Sequence, residues 1–598
     1  MPVYKAPVDD VLFILNDVLD FQRYNNLPGF GEATPDMIEA IAGEAAKFCE
    51  QVLQPVNLTG DQEGCKRHAD ATVTTPKGFK EAYAQYREAG WMGLAAPAEF
   101  GGQGLPATLN TMVQEFMGSA NLAWTMYPGL TQGAIAALVT HGTPEQKKTY
   151  LPKMIAGGWT GTMNLTEPHC GTDLGMLKTK AARNADGSFA LTGTKIFISA
   201  GEHDMAENII HLVIARIEGA PQGTKGISLF VAPKFLVNAD GSLGARNQVS
   251  CGSIEHKMGI HGNSTCVMNY DGATGWLVGH ENKGLAAMFV MMNEARLGVG
   301  VQGLSISEVA YQNAAAYAKD RVQGRSLTGP KAPDKAADPI IVHADVRRTL
   351  MSIKAFNEAA RAFALWASLK SDVAHRSAEA GAKQSADDYM GLLTPVLKGV
   401  LTDLGFDNAV RAQQMFGGHG YIEEWGMSQF VRDARIAMIY EGANGVQAMD
   451  LVGRKLGKDG GRAVMSFFGE VSAFIKDNAA DQAMQPFLKP LEASLGHLQQ
   501  ATMWLMQNGL AKPDNAGAGA TDYMHLFGLA VLGYMWALQV KAANAKLTAG
   551  ANGAAERMHA KLVTGRFYME RMLPETGLRL QRIITGGDTV MALAAEAF

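Results

Sequence analysis

Between residues 158 and 280 the hydrophobic pattern changes period, and that change limits the folds open to this chain. Runs such as Phe189-Ala190-Leu191-Thr192 and Ile209-Ile210-His211-Leu212-Val213-Ile214 are short and bounded by turn residues. Asp186-Gly187 and Asp240-Gly241 are hairpin signals inside the same stretch. On either side, apolar residues return at helical spacing. The strands do not alternate with helices, and no G-x-G-x-x-G leads into a helix. A doubly wound nucleotide-binding sheet is therefore not expected. The expected class is mainly α with a central β domain. At 598 residues the chain exceeds what one hydrophobic core fills, so several domains are expected.

Five segments follow from the pattern. Residues 1–35 form an N-terminal extension with one amphipathic helix, Leu12, Leu15, Val18 and Leu19 on one side, ending near residues 26–29. Residues 36–157 form a helical domain, with helices over 37–52 and 77–89 and a glycine-rich loop at 97–104. The β domain spans 158–280. Helices resume after Gly284 and form a bundle over 281–457, interrupted by a polar loop at 328–339. A further helical domain covers 458–598. There Leu491, Leu495, Leu498, Thr502 and Leu505 share one face, and 513–520 reads as a loop between helices. The apolar run 526–538 is shorter than the roughly 20 residues a spanning helix needs, so it predicts a buried helix rather than a membrane span.

Composition narrows the function classes. Hydrophobic residues make up 47% and charged residues 19%, as in soluble globular proteins, and the net charge of -5 offers nothing to nucleic acid or to an acidic membrane. Cys49, Cys65, Cys170, Cys251 and Cys266 are odd in number and scattered, with no C-x-x-C pair, which disfavours disulfides and structural zinc. His169 and Cys170 have no ligand partner at metal spacing, so no metal is expected. The first residues carry no signal or transit pattern, and the expected location is cytoplasmic.

The stretch Arg432–Gly442 reads as a helix end followed by a glycine-permitted turn, with Glu441 at the hinge. Read alone, Glu441 is an ordinary surface acid. It is preceded, however, by Leu165-Thr166-Glu167-Pro168-His169-Cys170-Gly171-Thr172-Asp173, by Lys195-Ile196-Phe197-Ile198-Ser199-Ala200-Gly201, by Asn293-Glu294-Ala295-Arg296 and by Gln414-Met415-Phe416-Gly417-Gly418-His419-Gly420. In this order the segments resemble the acyl-CoA dehydrogenase family, with its T-E-P-x-x-G-[ST]-D loop, Q-x-x-G-G-x-G turn and Y-E-G hinge. The resemblance implies a helical domain, a β-barrel-like domain and a helical bundle, with the last segment as an extra helical domain. The two terminal blocks resemble the large bacterial branch that includes enzymes acting on 3-(methylthio)propanoyl-CoA.

Desaturating a thioester requires a base for the weakly acidic α-proton and an acceptor for the β-hydride. No side chain accepts hydride, so a redox cofactor is required, which the resemblance identifies as FAD. It implies Glu441 as the base. Other members place the base at the position of Ala295, which cannot abstract a proton. Burial among Met438, Ile439 and Tyr440 would bring a carboxylate's pKa towards neutrality.

For FAD the resemblance implies Thr166, Thr172, Phe197, Ser199, Arg321, Gln414, Gly417 and Gly418, the Gln414 turn serving the neighbouring subunit's cofactor. Where relatives carry a threonine after the Y-E-G hinge, Asn444 is the expected replacement. Thr172, Asn293, Arg296 and Tyr440 are implied on the substrate side. As plain structure, the threonines would be turn residues, Phe197 an inward core residue of the β domain, and Arg296 half of a helix-surface ion pair.

The implied partners are an acyl-CoA of short or medium chain, with 3-(methylthio)propanoyl-CoA favoured, an electron-transferring flavoprotein as acceptor, and a second copy in a homodimer. An acyl-CoA oxidase shares the base and the extra block and remains open. A non-enzymatic nucleic-acid-binding flavoprotein of the same fold needs a basic C-terminal surface. Residues 458–598 hold 13 Lys and Arg against 12 Asp and Glu, which disfavours that role.

Overall fold

The computed structural model describes residues 2–509, 511–550 and 553–598. The chain divides into two compact units, one of Met1–Gly43 with Val299–Phe598 and the other of Glu44–Gly298. In chain order the helices before the strands are α1 (Val8–Phe13), α2 (Pro35–Phe48), α3 (Asn57–Glu63), α4 (Phe79–Glu88), α5 (Ala107–Ala120), α6 (Leu122–His141) and α7 (Pro144–Ile155). After them come α8 (Gly284–Asp320), α9 (Ala344–Arg376), α10 (Ala380–Met415), α11 (Met427–Arg435), α12 (Asn444–Asp450), α13 (Arg462–Asp477), α14 (Gln485–Asn508), α15 (Pro513–Thr548), α16 (Ala555–Arg571), α17 (Glu575–Thr585) and α18 (Asp588–Met591).

The unit of Glu44–Gly298 is built on strands. Two short strands, β1 (Lys66–Arg67) and β2 (Val73–Thr74), form a ribbon. The main sheet contains β3 (Trp159–Asn164), β4 (Lys180–Arg183), β5 (Phe189–Ser199), β6 (Asn208–Ile217) and β7 (Ile227–Pro233). A second ribbon of β8 (Phe235–Val237) and β9 (Leu243–Arg246) follows, and then β10 (Val249–Ile254) and β11 (Thr265–Val278) return to the main sheet. Strand β11 pairs with both β5 and β7, while β6 pairs with both β4 and β7. With β4 on β5 the five strands close into a barrel. Strand β10 extends it beyond β11, and β3 beyond β6.

Both expected Asp-Gly turns lie in hairpins, β4–β5 and β8–β9. The pairings of β6 with β3 and with β4 are parallel, a detail that hydrophobic alternation does not carry. Leu191, Val213, Phe230, Met268 and Ala273 fill the interior. Helix α6 covers the outermost strand so closely that a Cβ on Gly161 would press on Ala134. Asn121 caps α6 by accepting from the Trp124 N–H at 3.1 Å.

The other unit is a helical assembly around α10, which lies against α9, α11, α12, α13 and α15. Glycines set two close crossings. A Cβ on Gly303 would overlap the Leu401 carbonyl oxygen, and one on Gly405 would overlap that of Gly303, so α8 and α10 touch backbone to backbone. A Cβ on Gly399 would meet Met524, and one on Gly528 would meet Val400, which draws α15 onto α10.

Two expectations are corrected. Residues 513–520 are not a loop but the first turns of α15. Pro513 stands at the first helical position, where its missing N–H is not needed, and the small residues Gly519 and Ala520 are buried. The N-terminal extension is not one helix running to residue 26. Helix α1 passes into a π turn over Ile14–Val18, left-handed Asp20 ends it, and a short 3₁₀ turn over Phe21–Tyr24 follows. Residues 1–43, moreover, belong to the same unit as the C-terminal helices. Among the described residues one helix, α15, is long and apolar enough to cross a membrane, and 83% of that stretch is buried inside the protein, as in a core helix.

Candidate active site

The hinge at Glu441 is made by two consecutive left-handed residues. After α11 the chain tightens into a 3₁₀ turn over Ile436–Met438, and the N–H groups of Ile439 and Tyr440 both return to the Ile436 carbonyl. Glu441 then takes φ 56° and Gly442 φ 86°, which reverses the chain into α12. Glycine adopts this backbone freely, whereas an L-residue is disfavoured there by about 1–2 kcal/mol.

Hydrogen bonds hold the hinge at each of three consecutive residues, 440 to 442. The Gln447 side-chain amide donates to the Glu441 carbonyl at 3.0 Å. The Lys398 ammonium donates to the Gly442 carbonyl at 2.8 Å. The Tyr440 hydroxyl donates to Gln302 of α8. A side chain at Gly442 would overlap the Gln447 amide, so glycine is required there for space as well as for φ.

Glu441 is half-buried, as are Met438 and Tyr440, but Ile439 is 50% exposed. The apolar enclosure expected of these three residues is thus open on one side in the single chain. Burial raises the Tyr440 phenol's pKa, and the negative charge of Glu441 beside it raises it further. Tyr440 stays a neutral hydrogen-bond donor next to the carboxylate.

Asn444 is turned into the protein beside the hinge. Its amide donates to Gly399 O, Thr402 Oγ1 and Asp403 Oδ1 at 3.1, 2.9 and 2.6 Å, and its oxygen accepts from Lys398 Nζ at 2.7 Å. A side chain so committed braces the hinge.

The remaining expected residues of this unit gather where α8 and α10 end. Gln414, Gly417 and Gly418 are exposed, with Gly417 at φ 57° and open space where a Cβ would stand on either glycine. The turn rests on aromatic rings: Tyr317 stacks on Phe416 at 4.2 Å and His419 on Trp425 at 4.4 Å. The Tyr317 hydroxyl lies 2.9 Å from His419 Nδ1, one helical turn before Arg321. Arg321 is exposed, while Arg325 of the same segment is taken up by Asp338. Both residues are exposed, and Arg325 is the one paired with a carboxylate.

In the Glu44–Gly298 unit the structure brings Thr166, Phe197 and Ser199 together. The Ile196 N–H donates to the Thr166 carbonyl at 2.9 Å, which lays the Thr166–Asp173 loop along β5. Between the pairs Ile198–Cys266 and Lys195–Met268 the register shifts by one residue, and Phe197 sits in that bulge at φ 59°. Phe197 is 59% exposed and Ile198 2%, with Ser199 half-buried. The inward-core alternative for Phe197 is therefore overturned. Thr172 is exposed on the same loop. Asn293 and Arg296 lie on the third and fourth turns of α8, the Arg296 guanidinium 5.7 Å from the centre of the Phe289 ring.

Pattern reading missed the pair that supports this loop. Lys195 is fully buried and donates to Glu167 Oε1 and to the Leu165 carbonyl, both at 2.9 Å. Glu167 also accepts from the Lys178 and Thr179 N–H groups and from the Thr179 hydroxyl. A lysine at an inward strand position was the available signal.

Glu167, His169 and Cys170 place potential ligand atoms within 4.8 Å of one another, a cluster that residue spacing alone did not suggest. The carboxylate is already committed to protein donors, and His169 Nε2 faces the Met176 carbonyl at 3.0 Å.

Burial alone would raise the Glu167 carboxyl, but Lys195 and the hydrogen-bond donors outweigh it and hold its pKa at about 2 instead of 4.5. A depressed carboxyl stabilises the fold above its unfolded pKa and loses that contribution as pH falls. The stability gap between the native protein and Glu167→Gln, read from urea unfolding, should be constant above about pH 4.5 and shrink as pH falls towards 2. A gap that does not change with pH would contradict the assignment.

Comparison with known proteins gives four consecutive family matches. They are "Acyl-CoA dehydrogenase, N-terminal domain" over residues 35–158, the middle domain over 162–273, the C-terminal domain over 282–456, and "Acetyl-CoA dehydrogenase C-terminal like" over 467–594. The chain is 41% identical over 592 residues to 3-methylmercaptopropionyl-CoA dehydrogenase of Ruegeria pomeroyi, covering 98% of this chain and 99% of that protein. It is 33% identical over 619 residues to the broad-specificity linear acyl-CoA dehydrogenase FadE5 of Mycobacterium tuberculosis, covering both chains fully. Among solved structures, Caenorhabditis elegans ACDH-11 in complex with C11-CoA superposes with a TM-score of 0.78 at 18% identity, over 99% of this chain and 95% of that one.

Proposed function

The chain belongs to the acyl-CoA dehydrogenase family, a family of FAD-dependent oxidoreductases, and we propose from that premise that Glu441 is the base that takes the α-proton of a short or medium acyl-CoA. The observation that carries this reading is the hinge. A carboxylate stands on a left-handed residue held by Lys398, Gln447 and Tyr440, at the family's Y-E-G position. A base acts best when its position is settled before substrate arrives.

The residues fit FAD. Phe197 offers an exposed aromatic face beside the half-buried Ser199, Gly417 and Gly418 offer bare backbone, and Arg321 offers a guanidinium suited to phosphate. FAD supplies the hydride acceptor that no side chain can be. Thr166 and Thr172 offer hydroxyls to the cofactor and thioester, with Asn293, Arg296 and Tyr440 towards the substrate.

The favoured substrate is 3-(methylthio)propanoyl-CoA, supported by 41% identity over nearly the whole length to the Ruegeria enzyme. The broad linear specificity in the name of the mycobacterial relative keeps plain short and medium chains in the same reading. Electrons pass to an electron-transferring flavoprotein rather than to oxygen, and the protein works as a cytoplasmic homodimer.

A panel of acyl-CoA thioesters, mixed anaerobically with the yellow holoprotein, tests this reading by flavin bleaching and steady-state kcat/KM. Short and medium chains should lead, the methylthio substrate among them. Each methylene in an open pocket alters discrimination by only about 1–3 kcal/mol, so a tailored pocket should reject long chains by steric exclusion. A long chain with the highest kcat/KM would overturn the substrate reading. Stoichiometric peroxide release in air would favour the oxidase.

A further inference from the structure

The extra C-terminal helices reach the catalytic hinge through one chain of hydrogen bonds. His525 on α15 places Nε2 2.8 Å from Asp403 Oδ2 on α10. The other oxygen of Asp403 accepts from the Asn444 amide at 2.6 Å. The Asn444 oxygen accepts from Lys398 Nζ at 2.7 Å, and Lys398 also donates to the Gly442 carbonyl at 2.8 Å. Gly442 is joined directly to Glu441. Lys398, Asn444 and His525 are all buried.

Two features make this chain more than packing. Asp403 divides its two oxygens, one to α15 and one to the hinge, so removing either neighbour takes away the protein donor that orients one side of that carboxylate. In addition, α15 is drawn against α10 beside both ends of the link: Met524 presses on Gly399, next in sequence to Lys398, and Val400 presses on Gly528. In a water-poor interior such linked hydrogen bonds reinforce one another. Since Asp403 accepts, His525 must donate through Nε2, which sets its tautomer.

We propose that His525 and Asp403 are positioning residues for the Glu441 base, and that the extra helical block is in this way part of the active-site architecture. The inference rests on the reading of Glu441 as the base. Neither residue touches the thioester. They act by holding Asn444 and Lys398, which hold the backbone from which the carboxylate projects.

The test uses the full-length FAD-loaded protein and reads two rates anaerobically: exchange of the substrate α-proton with D2O, and flavin reduction. In His525→Leu both rates should fall about 5- to 50-fold with KM within about twofold, the signature of a displaced base rather than a lost binding contact. His525→Gln, which can still donate to Asp403, should return both rates to within about threefold of native. Asp403→Asn, whose amide can accept from only one neighbour, should lose activity like His525→Leu and serves if the latter fails to load FAD.

Native rates in both His525→Leu and Asp403→Asn, with Glu441→Gln inactive, would overturn the inference and leave the base in place. A loss that His525→Gln does not restore, or one in which KM and FAD affinity change with kcat, would also overturn it. Native proton exchange in Glu441→Gln would instead remove the reading beneath it.

Discussion

Glu441→Gln should retain FAD and fold while turnover falls by about two to four orders of magnitude, the usual contribution of a positioned general base. Glutamine preserves the shape of the side chain but cannot accept the proton. The backbone contacts at the hinge, from Gln447 to the Glu441 carbonyl and from Lys398 to the Gly442 carbonyl, do not involve the carboxylate and should survive the change. The measurement is anaerobic flavin reduction by substrate, together with the FAD absorbance of the purified variant. Bleaching at the native rate would sink the assignment. Loss of FAD from the variant would show that the residue supports the fold rather than the chemistry.

The largest effect on stability should come from Lys195→Met. Glu167 is almost fully buried, and without the lysine its charge is left uncompensated, a change that typically costs about 3–5 kcal/mol. The Leu165 carbonyl loses its donor as well. Adding Glu167→Gln to the variant should recover part of the loss, because it removes the buried charge and the amide oxygen still accepts from the Thr179 N–H and hydroxyl, although the Lys178 N–H then loses its acceptor. Chemical unfolding of the two variants beside the native protein reads both changes. Since this pair holds the loop that carries Thr166, the single variant should also bind FAD less tightly. A Lys195→Met protein within 1 kcal/mol of native, on the order of a surface substitution, would show that the pair does not support the loop.

Most of the fold was legible because periodicity reports faces. The switch from helical spacing to short turn-bounded runs marks the barrel, and the Asp-Gly pairs lie in its hairpins. What was not legible depends on partners far away in the chain. The 513–520 stretch looks like a loop by its glycines, yet it is helical because small residues suit a helix packed tightly on its neighbours. Phe197, which as plain structure would point into the β core, is exposed instead. It stands on a bulge, which depends on an extra residue opposite β11.

At the hinge, the turn at Gly442 could be read from residue type, but the left-handed Glu441 could not. Lys398 carries the plainest unused signal, a lysine inside the apolar run Pro395-Val396-Leu397-Lys398-Gly399-Val400-Leu401. Its partners, however, lie 44 and 46 residues away. The link from Asp403 to His525 spans 122 residues and has no local trace at all.

On the proposed role of Glu441 as the base, its left-handed backbone sets stability and turnover against each other at a single codon. Glycine or asparagine would occupy that conformation with less strain and leave the rest of the hinge untouched. Laboratory evolution that rewards heat resistance without demanding catalysis will therefore drift towards those residues at 441 and return a sturdier, inert protein. Selection that rewards flux holds glutamate there, and recruits neighbours such as Gln447 and Lys398 to keep an unfavourable conformation in place.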